Sequence, residues 1–237
     1  MQSQVCTEIK YKFLKITRNV QSSFRISFNG KVAYLDLYKI SEENHDADYI
    51  FITHEHKDHL DIESLRKISK ESSMFICNKL VAQKVLSEDL VRPENVLIEL
   101  TSNDHLDLDS FISIDTKPAY NINKFKEGTT LYHPKENDGL GFVITFIKAS
   151  AENDAEKVKI YNMGDTDFLP KEHIVEGLDI LMIPVEGTYV MTSEEAVSAN
   201  ESIKPLISIP MHYDQSAGSI EDAQNFIEKI TNEGYLL

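Results

Sequence analysis

The chain has 237 residues, enough for one large α/β domain or two small ones with a substantial core. Its 39 acidic residues against 24 lysines and arginines give a net charge of −15, a surface that repels nucleic acid and anionic membranes. Only two cysteines occur, Cys6 and Cys77, far apart and outside any Cys-x-x-Cys spacing, which argues against a disulfide framework. The N-terminal MQSQVCTEIKYKF lacks the apolar stretch of a signal peptide, and no run approaches the roughly 18 apolar residues of a membrane span, so a cytoplasmic protein is expected.

In chain order, SFRISF and KVAYLDL alternate apolar and polar residues around Asn29-Gly30, the pattern of a β-hairpin with a two-residue turn. DYIFIT (48–53) is a short continuous apolar run that suits a buried strand. Asp61 is then a good N-cap for a helix with Ile62, Leu65 and Ile68 on one face. MFICN (74–78) reads as a strand, NKLVAQKVLSED as a helix and NVLIEL as a strand. FISIDTKPAY runs into a loop over about residues 117–140, after which GFVITFIKA and KVKIYNM pair around the polar AENDAE. LDILMIPV (178–185) has the composition of a fully buried strand, followed by helix 193–203 and strand 206–210. A last helix starts at Ser219, where Ser219 and Asp222 form a capping-box pattern. Two mixed sheets covered by helices, in one domain over residues 1–237, is the simplest architecture.

The segment THEHKDHLD (53–61) concentrates three histidines and two aspartates directly after the buried strand. His54 and His56 are two apart, so in an extended segment their side chains project to one side, and Asp58 and His59 follow at the turn. Three imidazoles and a carboxylate suit zinc or a similar divalent ion, with Mn2+ and Fe2+ as alternatives. These four groups cannot all reach one tetrahedral ion from so short a segment, so further ligands are expected downstream. Asp165 in NMGDTDF and His212 in PMHYD each follow a strand-like run, and His133 lies in the 117–140 loop as YHPK. His45, His105 and His173 sit in polar surroundings and are expected at the surface.

THEHKDHLD, followed by GDTD and PMHYD, resembles the His-x-His-x-Asp-His signature of the metallo-β-lactamase superfamily. The stretches KPAYNINKFKEGTTLYHPKENDGLGFVI, IPVEGTYVMTSEEA and IKPLISIPMHY are further similar to the branch of metal-dependent hydrolases akin to L-ascorbate-6-phosphate lactonase. The similarity runs from about residue 22 past His212. It implies an α/β (α+β) fold, a four-layer αββα sandwich of two mixed β-sheets flanked by helices. It also implies two divalent metal ions: His54, His56 and His133 for the first, Asp58, His59 and His212 for the second, and Asp165 bridging them. Asp58 and Asp165 are the expected catalytic carboxylates. The chain departs from the branch at Gln21, where a histidine is usual, at Leu37, where a proline is usual, and at Glu186-Gly187, where a glycine pair is usual. Asp36 is expected to support the metal loop by hydrogen bonding.

Two metals roughly 3.5–4 Å apart imply hydrolysis of a small ester, lactone or phosphoester, and the chain contains no Gly-x-Ser-x-Gly elbow for a serine mechanism. Between residues 117 and 135, Lys117, Lys124, Lys126 and Lys135 face one acid, Glu127, a local charge of +3 that suggests guidance of an anionic small molecule. Asn121, Asn123, Lys135, Thr188 and Tyr189 are the expected substrate-facing groups. Competing readings are a phosphodiesterase or nuclease, weakened by the acidic surface, and a metal or ligand sensor, weakened by the intact set of seven ligands. A homo-oligomer is compatible with the sequence.

Overall fold

The structure is a computed structural model and describes residues 4–88, 96–148, 155–215 and 217–237. Two large sheets dominate it. The first has seven strands in the order Ile9–Tyr11, Leu14–Arg18, Phe24–Phe28, Lys31–Leu35, Tyr49–Ile52, Met74–Cys77, Val96–Glu99. The second has eight, in the order Gln4–Val5, Glu233–Leu236, Ile207–Met211, Ile180–Pro184, Glu156–Asn162, Leu140–Lys148, Ile112–Pro118, His105–Asp107. Both are mixed. The Asn29-Gly30 turn has positive φ at both residues, as the hairpin between Phe24–Phe28 and Lys31–Leu35 requires.

The apolar runs become continuous where a strand is covered on both faces. In Tyr49–Ile52, Tyr49 and Phe51 enter the core between the sheets, while Ile50 and Ile52 pack under the helices Ile62–Ile68 and Lys79–Ser87. Ile180–Pro184 repeats the arrangement. Ile180 and Met182 face the inter-sheet core, and Leu181 and Ile183 face the helices Ser193–Ile203 and Ile220–Lys229. Phe51 and Phe142 meet edge-to-face across the sheets with ring centroids 5.4 Å apart. The layers therefore run helix, sheet, sheet, helix, as expected.

Local details differ from the sequence reading. Asp61 occupies the N-cap, but its carboxylate accepts from the Ser64 hydroxyl and the Lys39 amide rather than capping its own helix. A full capping box forms at Thr192 and Glu195, at the start of Ser193–Ile203. The strand Glu233–Leu236, short and with a glycine, is recognisable through its parallel pairing with Ile207–Met211 and Gln4–Val5. Residues 151–154 of the AENDAE connection lie outside the described residues. Among the described residues, no helix is long and apolar enough to cross a membrane.

Candidate metal centre

The site forms at the carboxyl ends of neighbouring strands, where loops from both sheets converge. Asp36 follows Lys31–Leu35, and Thr53 and His54 follow Tyr49–Ile52. His56, Asp58 and His59 turn toward the helix Ile62–Ile68, Asp165 follows Glu156–Asn162, and His212 follows Ile207–Met211. Gly164 makes the turn to Asp165 at φ +65°, and a Cβ there would come 2.8 Å from the Leu140 carbonyl oxygen. His133 arrives from the long loop, between Thr130–Leu131 and the turn Lys135–Asn137.

Asp165 is the common neighbour. Its Oδ2 lies 3.0 Å from His212 Nε2, 3.2 Å from His133 Nε2 and 3.8 Å from His54 Nε2, and its Oδ1 is 3.2 Å from His59 Nε2. His56 presents Nδ1 3.2 Å from His133 Nε2, and Asp58 Oδ2 lies 3.4 Å from His212 Nε2. His54, His56 and His133 form one group whose ligand atoms lie within 4.8 Å of one another. Asp58, His59 and His212 form a second, and His54, His59 and Asp165 a third between them. All seven expected ligands are thus brought together.

The donor chemistry fits divalent cations. His54 Nε2, His59 Nε2, His212 Nε2 and Asp165 Oδ1 are buried without a hydrogen-bond partner, although they lie close together. Each such orphan costs about 1–3 kcal/mol in a folded protein, so a shared cation would supply the partner these converging atoms lack. The outer contacts set the tautomers accordingly. His59 Nδ1 donates to Asp36 Oδ2 at 2.8 Å, as expected of Asp36. Asp36 also accepts from the Thr53 amide (2.8 Å) and hydroxyl, which leaves that hydroxyl free to accept from His54 Nδ1 at 3.0 Å. His133 Nδ1 donates to Asn121 Oδ1 at 3.0 Å. In all three rings the Nδ1 proton is engaged and the Nε2 lone pair faces inward.

The charges favour a cation here. Burial pushes His54 well below its ordinary range, reinforced by the neighbouring His59. Burial pushes His59 down too, but Asp165, Asp36 and Asp58 outweigh it and raise the ring well above. At His212, Asp165 and Asp58 overcome burial and lift the ring to about 10. Burial opposes ionisation of Asp165, yet His212, His59 and His133 hold it well below the carboxylate range.

The departures from the branch pattern have local reasons. Gln21, left-handed at φ 56°, donates from Nε2 to Asp58 Oδ2 at 3.1 Å, and its carbonyl accepts from the His212 amide. Leu37 donates its amide to the His59 carbonyl at 2.8 Å, a bond that proline would remove. Glu186 does not line the cavity over the cluster. It is buried, and its carboxylate accepts the amides of Thr188, Tyr189 and Val190, capping its own loop.

A cavity of about 260 Å³ opens on the cluster, lined by Tyr132 and Tyr189 together with His56, Asp58, His133, Asp165 and His212. Tyr189, expected to face substrate, therefore lines the cavity, and so does Tyr132, which the sequence did not single out although it adjoins His133. Asn121 lies behind the wall, tying His133 to the Tyr189 carbonyl. Asn123, Lys135 and Thr188 do not line the cavity. Asn123 binds Glu195 at 2.9 Å, Lys135 lies 5.4 Å from the Tyr120 ring centroid, and Thr188 is exposed. The anion-guiding loop also fails in its central member. Lys124 is buried and bonded to Glu195 Oε2 at 2.6 Å, with Asp167 3.6 Å away. Asp167 in turn accepts the amides of Ile122 and Asn123, fastening the loop. His45 and His105 are exposed as expected, but His173 is fully buried. Its Nε2 donates to the Pro118 carbonyl at 2.8 Å, and its Nδ1 accepts from the Leu169 amide.

The sequence matches the beta-lactamase superfamily domain over residues 15–212. It is 29% identical to a UPF0173 metal-dependent hydrolase of Thermoplasma acidophilum, covering 74% of this chain and 69% of the relative. A solved structure from Parabacteroides distasonis, provisionally named a metal-dependent hydrolase, is 24% identical with a TM-score of 0.73 over 97% of this chain and 96% of its own. Igni18, a metallo hydrolase from Ignicoccus hospitalis, is 19% identical with a TM-score of 0.70 over 94% of each chain. These two likenesses concern the fold. Sequence match and fold agree: the chain belongs to the metallo-β-lactamase superfamily, among its metal-dependent hydrolases.

Proposed function

We infer that the chain hydrolyses a small ester, lactone or phosphoester at a centre of two divalent ions, most simply zinc. His54, His56 and His133 would hold one ion and Asp58, His59 and His212 the other, with Asp165 between them. The observation that carries this reading is the set of buried, unpartnered ligand atoms around Asp165. Two such ions supply Lewis acidity at a carbonyl or phosphoryl oxygen and make hydroxide available near neutral pH. The chain's own groups do the rest. Asp36, Thr53 and Asn121 fix three imidazoles with their Nε2 lone pairs inward, and Gln21 orients Asp58. Tyr132 and Tyr189 border the space over the reacting centre. Within this class, the lactone reading rests on the motif likeness to L-ascorbate-6-phosphate lactonase.

Metal analysis of the purified protein, followed by a hydrolysis screen over lactones, carboxylic esters, phosphodiesters and sugar phosphates, tests the reading. The expected result is two ions per chain and turnover of at least one class. Asp165→Ala should release both ions and lower kcat by about 10³-fold. Full activity in that variant would overturn the site.

A further inference from the structure

Resting on the hydrolase reading above, we propose that the part of the substrate away from the scissile bond is uncharged and aromatic, and seats on the Tyr132–Tyr189 pair. The two rings pack edge-to-face with centroids 4.7 Å apart, both half-buried and both lining the cavity over the ligand cluster. Edge-to-face pairing leaves ring surface for a third aromatic group at favourable geometry. The pair is built rather than incidental, because Asn121 fastens both of its supports. Its Oδ1 accepts the His133 amide at 2.8 Å, one residue past Tyr132, and its Nδ2 donates to the Tyr189 carbonyl at 3.0 Å. The Glu186 carboxylate holds the Tyr189 amide from the other side. Such fixed rings lose little rotamer freedom when a ligand arrives.

The remaining wall argues against a remote anionic group. Among the described residues, no lysine or arginine lines the cavity; its other lining residues are histidines, Asp58 and Asp165. Lys124, the loop's central cation, is consumed by Glu195, and Lys135 lies over Tyr120. Away from the ligand cluster, a phosphate would meet the phenols of Tyr132 and Tyr189 and no lysine or arginine among the described lining residues. The same loop leaves Ile122 and Phe125 exposed, at 55% and 47%, so its surface carries apolar side chains beside the exposed Lys126 and Glu127. Among the described residues, neither Tyr132 nor Tyr189 has a hydrogen-bond partner for its hydroxyl, which leaves a polar handle at the ring edge for an ether or carbonyl oxygen. The cavity, about 260 Å³, is small and suits one ring with a short ester or a fused lactone.

The test compares three hydroxamates sharing one chelating head: benzohydroxamate, acetohydroxamate and phosphonoacetohydroxamate. Their dissociation constants are measured by calorimetry on the zinc-loaded full chain. Benzohydroxamate should bind about tenfold tighter than acetohydroxamate, and phosphonoacetohydroxamate no tighter. Tyr132→Ala and Tyr189→Ala should each erase most of the difference, while Tyr132→Phe and Tyr189→Phe, which keep the rings and report on folding, should retain it. Equal affinity of the first two probes, a phosphonate preference, or an aryl preference that survives both alanine variants would overturn this inference and leave the hydrolytic centre standing. Failure of all three probes to bind zinc-loaded protein would overturn both.

Discussion

The two halves of the ligand cluster are built differently. The half made by His54, His56 and His133 is all imidazole, with His56 partly exposed and His133 delivered by a long loop. The half made by Asp58, His59 and His212 is backed by carboxylates and deeply braced. Asp36, fully buried, holds His59, while Gln21 bonds Asp58 by its side chain and His212 by its backbone. Charge follows the same division: His54 and His56 are pushed down, His59 and His212 up. A neutral imidazole set binds by lone pairs alone, whereas the carboxylate-backed set adds Coulombic attraction at low dielectric. The second half therefore offers the stronger attraction to a cation, and the first depends on a histidine delivered by a long loop.

Removing the carboxylate behind His59 should collapse that ranking. Asp36→Asn keeps the volume but takes away the charge that orients and polarises the ring. Loss of such a partner weakens metal binding by about 10–100-fold. The variant should retain one ion per chain at a chelator concentration that leaves wild type with two, and its activity should fall by a similar factor. Titration with a chromogenic chelator reads this directly. Two ions released in parallel, at wild-type affinity, would show that Asp36 braces the fold and not the metal half.

The unequal halves also explain what the sequence could convey. The members of the cluster were legible, because buried strands such as DYIFIT and LISIP must end somewhere and His54 and His212 stand at those ends. The layers were legible for the same reason, since a run apolar on both faces needs cover on both. What supports the ligands was mostly not legible. Asn121 and His133 are 12 residues apart, Gln21 and Asp58 37, and nothing local announces either contact. Lys124 reads as a free cation in a basic loop until the fold brings Glu195, 71 residues away, against it. Likewise His173 lies in a polar stretch, and only the tertiary structure gives it the Pro118 carbonyl. Charge patterning counts side chains and cannot see pairs made across a fold.

The imidazole half should answer to Asn121. In Asn121→Ala, His133 loses the acceptor for its Nδ1 proton and the loop loses its tie to Tyr189. The expected effect is about tenfold weaker occupancy of the first half, with the carboxylate-backed half unchanged. Cobalt substitution would report it, because the d–d spectrum of a singly loaded centre differs from that of a filled one. Equal weakening of both halves would mean that Asn121 acts through the fold as a whole, and the contrast between the halves would lose its support.

Acid should act on the loop half through His173, which joins Pro118, where the loop begins, to the turn at Leu169. Burial lowers its pKa to about 4, against an ordinary value near 6.5. A depressed histidine is neutral in the folded chain while the unfolded chain takes up a proton, so its contribution to stability is complete above about pH 6.5 and is lost as pH falls toward 4. The full swing is on the order of 3 kcal/mol, smaller near pH 6. His173→Gln keeps a donor and an acceptor but does not titrate. Its urea-unfolding free energy should be lower than wild type at pH 7 and converge on it by about pH 4.5, because the wild-type curve falls more steeply between those limits. Parallel curves would assign the acid sensitivity elsewhere. Convergence accompanied by earlier loss of the His133-side metal would tie the imidazole half of the cluster to the one histidine that the sequence had wrongly placed at the surface.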